Sequence, residues 1–295
     1  MAKLDWQETQ SKLSAARQVG EGLAASLKLA IPIDPFAIAK DERPMLRVIC
    51  DDFRNRFDGQ LEFHASKRRF LMFVNTKYDA TVPTGKHHAR TRFSAAHELG
   101  HFFLDHHRAC LIKGAQPHPS RSERWDARVM MEREADSFAA SLLMPEYLMR
   151  PLVNESDLTA NTVRELAGRF ETSLVSTAIR AVQLSDFPTA IAGVRDGAVK
   201  WSFQADCLVE AGCYPPERRP LVSTTAKEKW EAFVCGEHAQ TESQAYVRDW
   251  FRTYDRDHLE TVPLMEFHLP VPAMDTLIVL LTIPEEELFP DSDDD

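Results

Sequence analysis

The chain has 295 residues, 44% apolar and 27% charged, with a formal net charge of −10, so two or three units with their own cores are expected. Seven acids from Glu285 on (Glu285, Glu286, Glu287, Asp291, Asp293, Asp294 and Asp295) carry most of that charge and leave −3 without them, so the acidity belongs to a solvated tail. The longest apolar runs fall far below the 18 or so residues of a membrane span, and no apolar leader follows the start. Five cysteines, an odd number with no C-x-x-C pair, suit reduced thiols, so a cytoplasmic protein with no membrane partner is expected.

From the start of the chain, Trp6 to Leu29 shows helical apolar spacing and is closed by Ile31-Pro32-Ile33-Asp34-Pro35; Pro35 to Ala39 can open a short helix. Met45–Asp51, Gln60–His64 and Arg69–Asn75 read as strands, with Asp58-Gly59 in the turn between the first two. They predict a small antiparallel sheet, whose outer edge could take an extended peptide as an added strand. Thr81 to Arg92 is a basic loop holding His87 and His88.

The next segment, Arg92 to Asp105 (RFSAAHELGHFFLD), carries the chemistry. Its apolar positions predict a buried helix with Ser94 as a candidate N-cap. On such a helix His97 and His101 lie one turn apart on one face, so two imidazoles can reach one ion. Glu98 is turned about 100° from His97, where a general base for water belongs. Asp105, four residues past His101, could orient its ring from an outer position. Lys113 to Ser122 is a polar connection or flap.

A third ligand should come from a second helix. Trp125 to Met144 runs without Gly or Pro until Pro145. Glu134 falls in the apolar stripe of Met131, Phe138 and Leu142, where a carboxylate needs a compensating partner. Glu132 and Asp136 lie on a neighbouring face, suited to solvent or to an outer shell. Tyr147, His106, His107 and His118 are candidates for stabilising an oxyanion.

Two blocks in order, R-T-R-F-S-A-A-H-E-L-G-H (Arg90 to His101) and E-A-D-S-F-A-A-S-L-L-M-P (Glu134 to Pro145), resemble the ImmA/IrrE family of metallo-endopeptidases. The resemblance implies a zincin-like α+β domain over residues 1–150. It implies Zn²⁺ on His97, His101 and Glu134, with Glu98 as catalytic base. It also implies a substrate that is a helix-turn-helix repressor, whose cleavage switches on genes in a stress response or a mobile element. Asp136 stands where Asn is common in the family.

Asn161 to Leu184 reads as two helices around Glu171-Thr172-Ser173, a helix-turn-helix-like segment within 151–186. Arg164, Arg169 and Arg180 against Glu165 and Glu171 leave it a net +1, weak support for binding DNA. A non-catalytic regulator acting through these helices is the alternative to a peptidase, but an intact Glu98 favours the enzyme. In 187–284, Ala190–Val194, Ala198–Phe203 and Thr276–Ile283 read as strands, and Ala226–Phe233 and Glu242–Thr253 as helices. The resemblance suggests a GAF-like module there, ahead of the acidic tail 285–295.

Overall fold

A computed structural model describes residues 6–114, 129–214, 219–254 and 256–288. His118, the Trp125 start of the second site helix, most of the 113–122 connection and most of the acidic tail lie outside them. The chain divides into two compact units, Met1–Leu148 with Ala167–Ser173, and Met149–Leu166 with Leu174–Asp295.

The first unit begins with α1 (Trp6–Ser26) and α2 (Pro35–Asp41), the latter capped by Asp34, whose carboxylate accepts from the Phe36 N–H at 2.9 Å. Three strands follow, β1 (Leu46–Asp51), β2 (Gly59–His64) and β3 (Arg69–Asn75), in the order β1-β3-β2. The antiparallel sheet expected from the sequence is a mixed one. β3 lies between the other two, antiparallel to β2 but parallel to β1, so the Asp58-Gly59 segment leads away from β1 rather than folding β2 back on it. This leaves β2 at an edge of the sheet. The alternation of β3 sends Phe70, Met72 and Val74 to the core. There they meet the site helix, with Phe70 edge-on to Phe102 at 5.4 Å.

That helix, α3 (Ala89–Phe103), is capped by His88, whose Nδ1 accepts from the Arg90 N–H at 3.1 Å. Ser94, the cap suggested by sequence, lies buried inside it. Asp79 fixes the start by accepting from the His88 N–H and the Thr91 hydroxyl and pairing with the His87 ring at 2.6 Å. Leu104 is extended (φ −76°, ψ 108°), and a new helix, α4 (Asp105–Ile112), begins beyond it. α5 (Val129–Leu143) packs on both α1 and α3. Phe138, Leu142, Leu99, Ala16 and Ala24 join the strand residues in one core.

Helices α6 (Glu146–Val153), α7 (Ala160–Phe170) and α8 (Leu174–Leu184) follow, α7 and α8 separated by Glu171-Thr172-Ser173. Arg180 on α8 is buried, so it presents no charge to solvent. The second unit is built on an antiparallel sheet of β4 (Thr189–Arg195), β5 (Ala198–Gln204), β7 (Thr241–Tyr246), β9 (Pro263–Val271) and β10 (Thr276–Thr282), in the order β5-β4-β10-β9-β7. β6 (Cys213–Tyr214) and β8 (Arg252–Thr253) form a separate pair. The helix expected over Glu242–Thr253 is the edge strand β7 followed by one short turn, Val247–Trp250. Pairing with β9 overrides the helical spacing of its few apolar residues. No helix among the described residues is long and apolar enough to cross a membrane.

Candidate metal centre

Two close approaches shape the site. A Cβ at Gly100 would sit 3.1 Å from Ala135 Cα and 3.2 Å from its carbonyl oxygen, so a side chain there would press α5 back by a few tenths of an ångström. At the start of β2, a Cβ on Gly59 would meet Glu98 Oε1 at 2.6 Å and Cγ at 2.9 Å. The bare backbone there makes room for the Glu98 side chain, which is 1% exposed.

Across the α3–α5 contact, three atoms able to ligate a metal converge. His97 Nε2 and His101 Nε2 are 3.1 Å apart, Glu132 Oε2 is 3.2 Å from the first and Glu132 Oε1 is 3.4 Å from the second. A tetrahedral zinc with ligands at 2.0–2.1 Å spaces them about 3.3–3.4 Å apart, and the two Nε2 atoms and the Glu132 carboxylate stand near that spacing. Glu98 stands close enough for its charge to act on His97.

The structure brings His97, Glu98 and His101 together but does not bring Glu134 to them. Glu132 occupies the third corner, and Glu134 instead accepts from His107 Nε2 at 3.0 Å and pairs with His106 Nε2 at 3.1 Å. Residues two positions apart on a helix are turned about 200° from one another, so only one of Glu132 and Glu134 can face the α3 histidines. The apolar stripe identifies the side of α5 that meets the core, whereas the ligand side is marked by the acid pair Glu132 and Asp136, one turn apart.

Each imidazole is held from behind. His97 Nδ1 donates to Asp136 at 2.9 Å, which reserves Nε2, the nitrogen facing the cluster, for an ion. His101 Nδ1 lies 3.0 Å from His107 Nδ1. Asp105, expected in that role, is 86% exposed and pairs with Arg108, because the break at Leu104 ends the helical phase that would have placed it under His101. His107, on the new helix, takes the place. Tyr147 is also elsewhere, its hydroxyl 3.5 Å from the Leu29 carbonyl.

Electrostatics follow from burial and these bonds. Burial works against charge on His97, yet hydrogen bonds to Asp136 and Glu132 outweigh it and hold its pKa well above the ordinary value in the absence of an ion. Burial disfavours the Glu132 carboxylate too, but its bonds to His101 and His97 keep it far below the usual range. Burial pushes His107 down to about 4, so that ring is neutral near pH 7. Cluster and base together can bind a divalent ion on one acid and two neutral imidazoles and place a carboxylate beside it.

Residues 59–182 match the family model Peptidase_M78, described as the IrrE N-terminal-like domain. Among solved structures, one described as a Mycobacterium tuberculosis transcriptional regulator superposes with a TM-score of 0.58 at 10% identity, over 97% of this chain and 82% of that one. At that identity the likeness is one of fold. Comparison with curated protein sequences gives no match.

Proposed function

The chain belongs to the ImmA/IrrE family through its IrrE N-terminal-like domain, and from that premise we propose that it is a zinc-dependent endopeptidase of the cytoplasm. The observation that carries this reading is the convergence of His97 Nε2, His101 Nε2 and a Glu132 carboxylate with Glu98 beside them. His97, His101 and Glu132 would hold the ion, Glu132 standing where the sequence blocks suggested Glu134. Bound there, Zn²⁺ supplies a Lewis acid that makes water nucleophilic near neutral pH and polarises a peptide carbonyl. Glu98 takes a proton from the attacking water on a carboxylate oxygen and returns it to the leaving amine. Asp136 and His107 keep the two imidazoles in the tautomer whose Nε2 points inward.

The substrate is a protein, and an extended segment would add to the outer edge of β2, which begins at Gly59 against Glu98. A helix-turn-helix repressor or antitoxin-like protein is the expected target, with transcription as the regulated process. The transcriptional-regulator description of the similar structure supports that setting. A GAF-like second unit, suggested by its five-stranded antiparallel sheet with flanking helices, would sense the activating signal. The five cysteines are free thiols, which suits a reducing compartment. Burial of Arg180 weakens the DNA-binding reading of the middle helices.

The test is incubation of the zinc-loaded protein with a helix-turn-helix repressor encoded beside it. Cleavage that falls about 10²–10⁴-fold in Glu98→Gln, with zinc content unchanged, is expected. Equal cleavage by the two proteins would remove Glu98 as the base.

A further inference from the structure

Behind the first cluster lies a second set of converging donors. His106 and His107, the second and third residues of α4, and Glu134 of α5 place one ligand atom each within 4.8 Å of one another. His106 Nε2 is 3.1 Å and His107 Nε2 3.0 Å from the same carboxylate oxygen, near the spacing of ligand atoms about a tetrahedral ion. The His107 and Glu134 side chains are buried, while the His106 ring is 58% exposed, so an ion can enter from solvent onto a pre-formed pair.

The two clusters touch through His101 Nδ1 and His107 Nδ1, 3.0 Å apart, and this contact has room for one proton. A neutral imidazole carries its proton on one nitrogen and a lone pair on the other. When His101 Nε2 holds an ion, its proton is on Nδ1 and is donated to His107 Nδ1; the His107 proton is then on Nε2, donated to Glu134, and His107 cannot ligate. When His107 Nε2 holds an ion, its proton is on Nδ1 and is donated to His101 Nδ1, so the His101 proton is on Nε2, facing the first cluster. Each state has two imidazole protons, so the exchange is balanced, but two ions would set N–H against N–H.

We infer that His106, His107 and Glu134 form a second transition-metal site whose occupation is exclusive with that of His97, His101 and Glu132. An ion in the outer site takes His101 away from the inner one, so the two sites share one ion in a ratio set by their affinities and not by the amount of Zn²⁺. This rests on the inner cluster being a metal site, and the experiment separates the two claims.

Zinc content is measured by native mass spectrometry after equilibration with a tenfold excess of Zn²⁺, for four full-length proteins whose folding is checked by circular dichroism. Wild type is expected to hold one ion, the exposed-site variant His106→Ala one, the near-isosteric inner variant His97→Gln/Glu132→Gln one, and the combination of all three substitutions none. Two ions in wild type would overturn the exclusivity. An empty inner variant, or one ion in the triple variant, would overturn the outer site. An empty His106→Ala protein beside a loaded inner variant would overturn the inner site while leaving the outer assignment standing.

Discussion

Two buried clusters of histidine and glutamate, one in each unit, are made of the same side chains and have opposite characters. In the second unit Glu266 is fully buried and collects donors: Trp250 Nε1 at 2.5 Å on one oxygen, and Thr225 Oγ1 at 2.5 Å and His268 Nε2 at 3.1 Å on the other. In the first unit, two imidazole Nε2 atoms and a carboxylate point at one another, while Asp136 and His107 occupy the Nδ1 sides. The first arrangement is closed by its own hydrogen bonds. The second gathers electron pairs around a point and needs a proton or a cation there. Burial and composition do not distinguish a structural knot from a metal centre; the balance of donors and acceptors does.

The comparison is broken most severely by removing each acid. Glu132→Gln should lower zinc affinity by more than about a hundredfold, since it removes a ligand and outer-shell losses alone reach that size. Metal-free stability should fall as well where His97 is charged, because the acid then loses its pairing with the two imidazoles. Glu266→Gln should leave zinc content unchanged and cost about 1–3 kcal/mol, because buried donors lose their acceptor. Equilibrium zinc titration and denaturant melts separate the two, and a stability loss without a zinc loss in Glu132→Gln would make the first cluster a second knot. Next in size, Asp136→Ala should weaken zinc about 10–100-fold by freeing the His97 ring; unchanged affinity in the same titration would show that the ring needs no such support.

The clusters also differ in sign with pH. Metal-free His97 has a folded pKa above its unfolded value near 6.5, so the stability it contributes is present below about pH 6.5 and is lost as pH rises through the folded pKa. Glu266 is lowered, burial being outweighed by hydrogen bonds from His268, Ser223, Thr225 and Trp250. Its contribution is present above about pH 4.3 and is lost as pH falls through the folded pKa. Zinc needs deprotonated imidazoles, so the rise in Tm on adding zinc should grow from pH 6 to pH 8. A zinc-induced shift independent of pH would contradict a proton-competing site. The smallest effect is that of Gly59→Ala, whose methyl would press on Glu98. We expect an activity loss of about tenfold, of the order produced by small misplacements of catalytic groups, with zinc retained; full activity would mean that the carboxylate has other room.

Much of this was legible in the sequence, unevenly and for physical reasons. His97, Glu98 and His101 lie on one continuous helix, so local spacing suffices to place them. Hydrophobic periodicity points to Glu134 rather than Glu132 because it reports the face that meets the core, whereas the acid beside the two imidazoles lies on another face. The signal that points to Glu132 is the Glu132–Asp136 pair, which repeats on α5 the one-turn spacing of His97 and His101 on α3. Asp105 failed as an orienting group because the phase argument runs through Leu104, where the helix stops. His107 was visible only as one histidine among several, since its partner is reached by tertiary packing. The parallel pairing of β1 with β3 and the strand over Thr241–Tyr246 are likewise long-range outcomes that local patterns do not encode.

Anomalous diffraction at the zinc edge, from crystals of the protein loaded with one equivalent of Zn²⁺, locates the ion relative to the two acids of α5. One peak is expected within about 2.0–2.2 Å of His97 Nε2, His101 Nε2 and a Glu132 oxygen, with Glu134 still bonded to His107. A peak coordinated by Glu134 with the inner cluster vacant, or no ordered peak at all, would contradict it.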